Sequence, residues 1–384
     1  MKRILGMIGL ALGIAGGAGA MMKSGGSEGT GWQGPAERGP DSTQVAAFLD
    51  LLAAAEPGLC QDVADAFGNF WWSRRELGIG ELSDRPTAGM ARRDSLRRPV
   101  TDRNALALLG ARLDASNSCV RRVAAKMLGH SWPASRAVVL AAAESRTARV
   151  KEAALLSLGM VEDSSTRDRI ERNVGDADPA VAAMAAWALG EIEDARSLPA
   201  LRPLLGAGHR KVRASAIWAV GQIEDQKATG WLLPLLSDQD PAIRLVVVEA
   251  LGEIEDPKAA SDLARILRDP DVDLRRAAAE ALGGLDDLET APPQLIAALG
   301  DTDLEVRRAV AEALASIGDP AALGALAQRI DDPDLETRRA VVQAIADLDH
   351  PDVSRHLLRA LKDADAEIRQ TAAEALGNKK GRDH

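Results

Sequence analysis

Asp240-Pro241-Ala242-Ile243-Arg244-Leu245-Val246-Val247-Val248-Glu249-Ala250-Leu251-Gly252-Glu253-Ile254 is the stretch that decides the fold. Ile243, Val247, Leu251 and Ile254 recur at helical spacing and make one buried stripe. Asp240 offers a side-chain oxygen to the free N–H groups of a helix start, and Pro241 fits the first turn. A small residue, Gly252, closes the stripe.

Working outward, Ile243 has counterparts at Val120, Val150, Val181, Val212, Leu274, Val306, Thr337 and Ile368, with spacings of 30 to 32 residues. Thr337 is the one polar residue among these anchors. Asp176, Asp238, Asp269, Asp301, Asp332 and Asp363 stand five residues before an anchor. Asp178, Asp240, Asp271, Asp303, Asp334 and Asp365 stand three before it. These acids suit a turn and a helix start, where the backbone N–H groups and the helix dipole favour negative charge. Gly129, Gly159, Gly190, Gly221, Gly252, Gly283 and Gly377 close the units, with Ala315 and Ala346 as exceptions. A shorter apolar helix, such as the segment from Leu198 to Leu205, fills the rest of each period. Two helices per period of about 31 residues predict an all-α fold, an α-solenoid of stacked helix pairs. Composition agrees: 46% of residues are hydrophobic but 3% aromatic, which suits close helix packing better than strands.

Over residues 116–378 the pattern resembles the HEAT-repeat family, and within it the bacterial subgroup named after phycobilisome lyases. The segments Asp240 to Arg244 and Glu249 to Ile254 carry the likeness most clearly. The resemblance implies a structural ladder between neighbouring units, made by a turn Asp and an Arg six residues later. The matching positions are Asp238/Arg244, Asp269/Arg275, Asp301/Arg307, Asp332/Arg338 and Asp363/Arg369. Asp176 faces Ala182 and Ala207 precedes Arg213, so the ladder is expected to break mid-array.

Upstream the grammar weakens. Residues 43–115 read as degenerate helical repeats, with Leu59 to Gly68 copying a second helix and Ala105 to Leu113 a first one. Between them, residues 73–103 form an irregular segment with Arg74-Arg75, Arg92-Arg93 and Arg97-Arg98. Such a loop is either a solvated insert or a contact for an acidic partner or anionic lipid. Residues 21–42 read as a flexible linker and 379–384 as a polar tail. Lys2-Arg3, the apolar run from Ile4 to Ala20 and Ala18-Gly19-Ala20 have the form of a cleaved signal peptide over residues 1–20. The expected location is therefore periplasmic or secreted, with no stable transmembrane segment after cleavage. In that compartment a disulfide between Cys60 and Cys119 is permitted, but the sequence leaves their pairing open.

The formal charge of −10 argues against a nucleic-acid partner. None of His130, His209, His350, His356 or His384 is followed by Glu, as the di-iron hydroxylases of this architecture require, and no zinc motif occurs. No metal, cofactor or catalytic residue is therefore expected, and the chain reads as non-enzymatic. In arrays of this kind the second helices line a groove, so residues at equal offsets form columns. Trp187, Trp218, Met184, Met160 and Leu245 mark an apolar middle, and Glu249, Glu280 and Glu312 an acidic run beside Arg276, Arg308 and Arg339. The tryptophans either anchor a partner or pack between repeats. The charged columns either meet a partner or form solvated pairs such as Arg276–Glu280 and Arg308–Glu312. The expected function is a scaffold that binds a protein or extended peptide on its concave face. The alternative is a lyase-like accessory factor holding a small aromatic ligand at the tryptophans.

Overall fold

The computed structural model describes residues 39–55 and 98–380. The signal peptide, most of the linker, Cys60, the helix read at 59–68 and most of the Arg-rich segment lie outside the described residues. Within them the chain is helical. The long helices are α1 (Ser42–Ala53), α2 (Arg103–Arg112), α3 (Ser118–His130), α4 (Ala148–Gly159), α5 (Pro179–Ile192), α6 (Arg210–Gln222), α7 (Pro241–Ile254), α8 (Val272–Gly284), α9 (Leu304–Ile317), α10 (Leu335–Asp347) and α11 (Ala366–Lys380). From α3 onward these are the second helices of the repeats. The first helices are shorter, as in Arg136–Ala143, Ala260–Ile266 and Val353–Ala360. Where the first-helix segment carries Pro203 or Pro234, a few α-helical residues pass into a 3-10 turn, because proline supplies no N–H for the α-helical ladder.

The fold divides into two units, and the division passes within α6. In the N-terminal unit α1 packs on α2, α2 on α3, α3 on α4 and α4 on α5. In the C-terminal unit α7 packs on α8, α8 on α9, α9 on α10 and α10 on α11. Each unit is a stack of helix pairs, the α-solenoid expected from the period.

The turn acids act as a pair. The first aspartate accepts the backbone N–H of the second, as in Asp238 from Asp240 at 2.8 Å and Asp301 from Asp303 at 2.8 Å. The second then caps the helix, as in Asp178 from Ala180 at 2.9 Å and Asp240 from Ala242 at 3.0 Å. The closing glycines have a different reason from helix termination. A Cβ on Gly221 would stand 2.8 Å from Ala250, and one on Gly283 would stand 2.7 Å from Ala313. They are the points of closest approach between neighbouring second helices, which a methyl group would push apart. α5 and α7 run past their closing glycines to end on Glu193 and Glu255, at φ 54° and 55°, and α9 ends on Gly318; Glu162, Glu224 and Asp287 also take positive φ in the turns that follow α4, α6 and α8.

The anchors Val181, Ile243, Leu274, Val306 and Thr337 are all completely buried, so Thr337 is a true core position despite its hydroxyl. That hydroxyl donates to Asp334 at 2.7 Å, which satisfies it. Cys119 is disulfide-bonded.

Candidate functional site

The ladder exists, with its partners one repeat apart. Arg307 donates to both carboxylate oxygens of Asp332 in the next repeat, at 3.0 and 3.1 Å. In its own repeat it reaches only backbone carbonyls, those of Asp301 and Thr302. Arg275 does the same with Asp301 at 2.8 and 3.1 Å, and Arg338 with Asp363 at 3.0 and 3.5 Å. Arg244 meets Asp269 at 3.5 Å. Each rung therefore clips a guanidinium between its own turn and the acid of the following turn. Arg369 takes the carbonyls of Asp363 and Ala364. For Asp301, burial opposes ionisation, but Arg275 and the backbone N–H of Asp303 outweigh it and hold the carboxyl below its ordinary range.

With that phase, the two irregular units of the sequence become one missing rung. Lys151 pairs with Asp176 at 2.5 Å, so Asp176 has its cation in the preceding repeat. Ala182 then stands where the next cation belongs and Ala207 where its acid belongs. Both members of the rung are absent together, which leaves no buried charge without a partner.

The apolar middle of the expected groove is not presented to solvent. Trp187 is 2% exposed. Its ring lies over Gly159, so close that a Cβ there would stand 2.2 Å from it. It is a packing residue of α5 on α4, and its role as an exposed anchor is corrected. Leu245 is also buried, at 8% exposure. Met160, Met184 and Trp218 are half-buried. In α7, α8 and α9 the residue that meets the preceding helix is a small one, seven after the anchor: Ala250, Ala281 and Ala313. In α5 the large residue six after the anchor reaches across instead, because Gly159 leaves it room. That glycine was the available sequence signal, and it was read only as a helix end.

The charged columns survive better. Glu280 and Glu312 are exposed and Glu249 is half-buried. Arg276 pairs with Glu280 at 2.7 Å as expected. The expected Arg308–Glu312 pair is replaced: Arg308 grips Asp334 with two bonds at 2.8 and 2.9 Å and also meets Glu305. Arg339 repeats the arrangement on Asp365, at 3.2 and 3.1 Å. A half-buried carboxylate already oriented as a helix cap takes the guanidinium fork in preference to a free glutamate. The bond from Arg308 holds the Asp334 carboxyl far below its ordinary range. These arginines form a second ladder that neighbour spacing along one helix did not reveal.

The N-terminal unit reverses this position. Glu152 occupies the offset of Arg308, and burial, aided by the charge of Asp178, lifts its pKa against the pull of Arg121, Arg122 and Lys211. Two tryptophans outside the expected site carry guanidinium groups over their rings. Arg136 stands 5.2 Å from Trp132, and Arg202 stands 4.8 Å from Trp231.

Among the described residues no group of three or more His, Cys, Asp and Glu side chains is placed to hold a metal ion. No helix there is long and apolar enough to cross a membrane. A cavity of about 360 Å³ in the C-terminal unit is lined by Leu233, Leu236, Ser237, Asp262, Arg265, Ile266, Arg268, Asp269 and Pro270, on the first-helix side of the stack.

The sequence pattern of HEAT repeats matches residues 135–212, 203–283, 263–335 and 325–383. The chain belongs to the HEAT-repeat family. Comparison with curated proteins found no match. Among solved structures, an engineered protein shares 19% identity over 88% of this chain and 98% of its own, with a TM-score of 0.50. That likeness concerns the fold alone. The CpcE–CpcF complex of phycocyanin lyase from Nostoc shares 22% identity over 63% and 93%, with a TM-score of 0.39. Human deoxyhypusine hydroxylase shares 25% over 63% and 95%, with a TM-score of 0.29.

Proposed function

We propose that this HEAT-repeat chain is a non-enzymatic, exported scaffold that binds a protein or extended peptide along the second-helix face of its C-terminal unit. The observation that carries the reading is the exposed row Glu280, Glu312, Gln343 and Glu374 on four consecutive helices. The backbone beneath that row is tied by two ladders, so a partner would meet a preordered surface and lose less freedom on either side. Arg308 and Arg339 are held by the caps, so the row keeps an acidic character that suits a partner with basic side chains. Burial of Trp187 moves the centre of the reading away from the tryptophans.

In-cell crosslinking in the envelope fraction tests it, comparing the wild type with a Glu280→Lys/Glu312→Lys variant of unchanged helicity. Loss of specific crosslinked partners in the variant is expected; an identical set of partners would remove this face from consideration. Export rests on the composition of residues 1–20. Amino-terminal sequencing of the recovered protein should begin at Met21.

A further inference from the structure

The cavity on the first-helix side of the C-terminal unit lies at a boundary between two repeats. One wall is the 3-10 run Leu233–Ser237, shaped by Pro234, and the other is the helix Ala260–Ile266 with the turn after it. Leu233, Leu236 and Ile266 give the lining its apolar surface, and Arg265 and Arg268 stand on the same lining. Two other boundaries show what an arginine at this place takes. Arg359 stands nine residues before the anchor Ile368 and pairs with Asp331, six residues before the preceding anchor, Thr337. Arg172 stands nine before Val181 and pairs at 3.5 Å with Glu144, six before Val150. Arg265 has the same offset from Leu274, but the residue six before Ile243 is Ser237, which has no carboxylate to offer. Of the three arginines at this offset, Arg265 is the one whose acid is missing. It turns instead to Asp262 on its own helix and stays exposed. The other acid of the lining, Asp269, is held by Arg244 and by the backbone N–H of Asp271 at 2.9 Å. Arg268 is exposed and, among the described residues, pairs with no acid. With both acids already matched, the cavity is left with an excess of positive charge.

We propose that this cavity binds a small amphiphilic carboxylate, an apolar chain that ends in one carboxylate group. The carboxylate takes the place that Asp331 and Glu144 fill at the other two boundaries, bonded by Arg265 and Arg268. The apolar chain lies against Leu233, Leu236 and Ile266. Guanidinium groups select this head group because their planar fork matches the two oxygens of a carboxylate. The volume of about 360 Å³ is near the lower end of the roughly 300–1,000 Å³ usual for small-ligand sites, which limits the chain to a medium length. A free organic acid and the C-terminus of a peptide with an apolar last residue both offer this chemistry. The site is separate from the second-helix face and does not depend on the partner proposed there.

The test is methyl NMR of the full chain labelled at leucine and isoleucine, titrated with octanoate and with N-acetyl-alanyl-leucine as the two sources of the carboxylate. The Leu233, Leu236 and Ile266 methyls should shift with at least one of them, at a Kd of about 1 mM or tighter, and the tighter binder names the source. Acetate, 1-octanol and octylammonium should each bind about tenfold more weakly or worse, since each lacks the chain or the charge. Arg265→Gln/Arg268→Gln should weaken binding about tenfold or more. Ser237→Asp should weaken it as much by another route, because its carboxylate takes Arg265 as Asp331 takes Arg359. No shift of these methyls with either acid up to about 10 mM refutes the site. So does an equal response to 1-octanol or octylammonium, or unchanged affinity in Ser237→Asp. If the double arginine variant does not fold, Ser237→Asp, which changes one exposed side chain, decides the matter.

Discussion

The C-terminal unit repeats one solution and the N-terminal unit improvises. From α7 to α11 every neighbouring pair of second helices is joined by an Arg–Asp rung, and from α9 to α11 a second ladder runs beside it. From α3 to α5 there is one charged rung, Lys151–Asp176, and the same pair of helices also carries the Trp187–Gly159 wedge. Repeats of one period can thus be registered by ladders of charge in one place and by a single charged rung with an aromatic wedge in another. What the period enforces is the distance between helices, not the chemistry that holds it.

The largest effect that would break this comparison is expected at Arg307, whose partner Asp332 is 3% exposed. Arg307→Ala leaves the buried Asp332 carboxylate with only Arg329 at 3.6 Å and the Asp334 backbone N–H, and should cost up to about 3–5 kcal/mol in chemical denaturation, while Arg307→Met/Asp332→Leu should recover part of the loss. Next comes Gly159→Ala, which drives a methyl into the Trp187 ring and should cost about 1–3 kcal/mol. The penalty should shrink in a Trp187→Leu background; an equal penalty there would deny the wedge. Building the absent rung, Ala182→Arg/Ala207→Asp, should show a favourable coupling of about 0.5–3 kcal/mol in a double-mutant cycle, with each single change neutral or harmful. Asp334→Asn can keep the cap on one oxygen but turns the other, an acceptor for Arg308, into an amide donor, at a cost of about 1 kcal/mol near neutral pH. Asp334 has a depressed folded pKa, so the wild type's advantage is present above the ordinary carboxyl value and disappears as pH falls through the folded one. A cycle on Arg276 and Glu280, an exposed pair within one helix, should give only about 0.2–0.5 kcal/mol.

The fold was legible because its signal is repeated: an apolar anchor, two turn acids and a small closing residue recur through the chain, so local irregularities average out. The broken ladder was also visible as Ala182 and Ala207, but its phase was not. The resemblance paired each Asp with the Arg six residues later, whereas the guanidinium is long enough to reach the next turn. The site was legible only in part. Offset along a helix identifies a column but not its exposure, which depends on the size of the residue opposite. Gly159 opposite Trp187 buries a residue that would otherwise face outward. Arg308 was assigned to a glutamate on its own helix because a cross-repeat partner about 26 residues away leaves no mark in local spacing.

The phase of the ladder also says where such an array tolerates editing. Each rung straddles a repeat boundary, so a segment excised at an arbitrary point strands one half of a charge pair at either scar. A segment one period long, cut at the same point in two successive turns, instead brings an arginine to an aspartate that differs from its native partner only in address. By that logic, in-frame loss or duplication of a period within residues 238–363 exchanges one rung for its equal. The same operation with one cut between Ala182 and Ala207 would leave a lone charge. The alanine rung thus acts as a seam, confining gain and loss of repeats to one side of it.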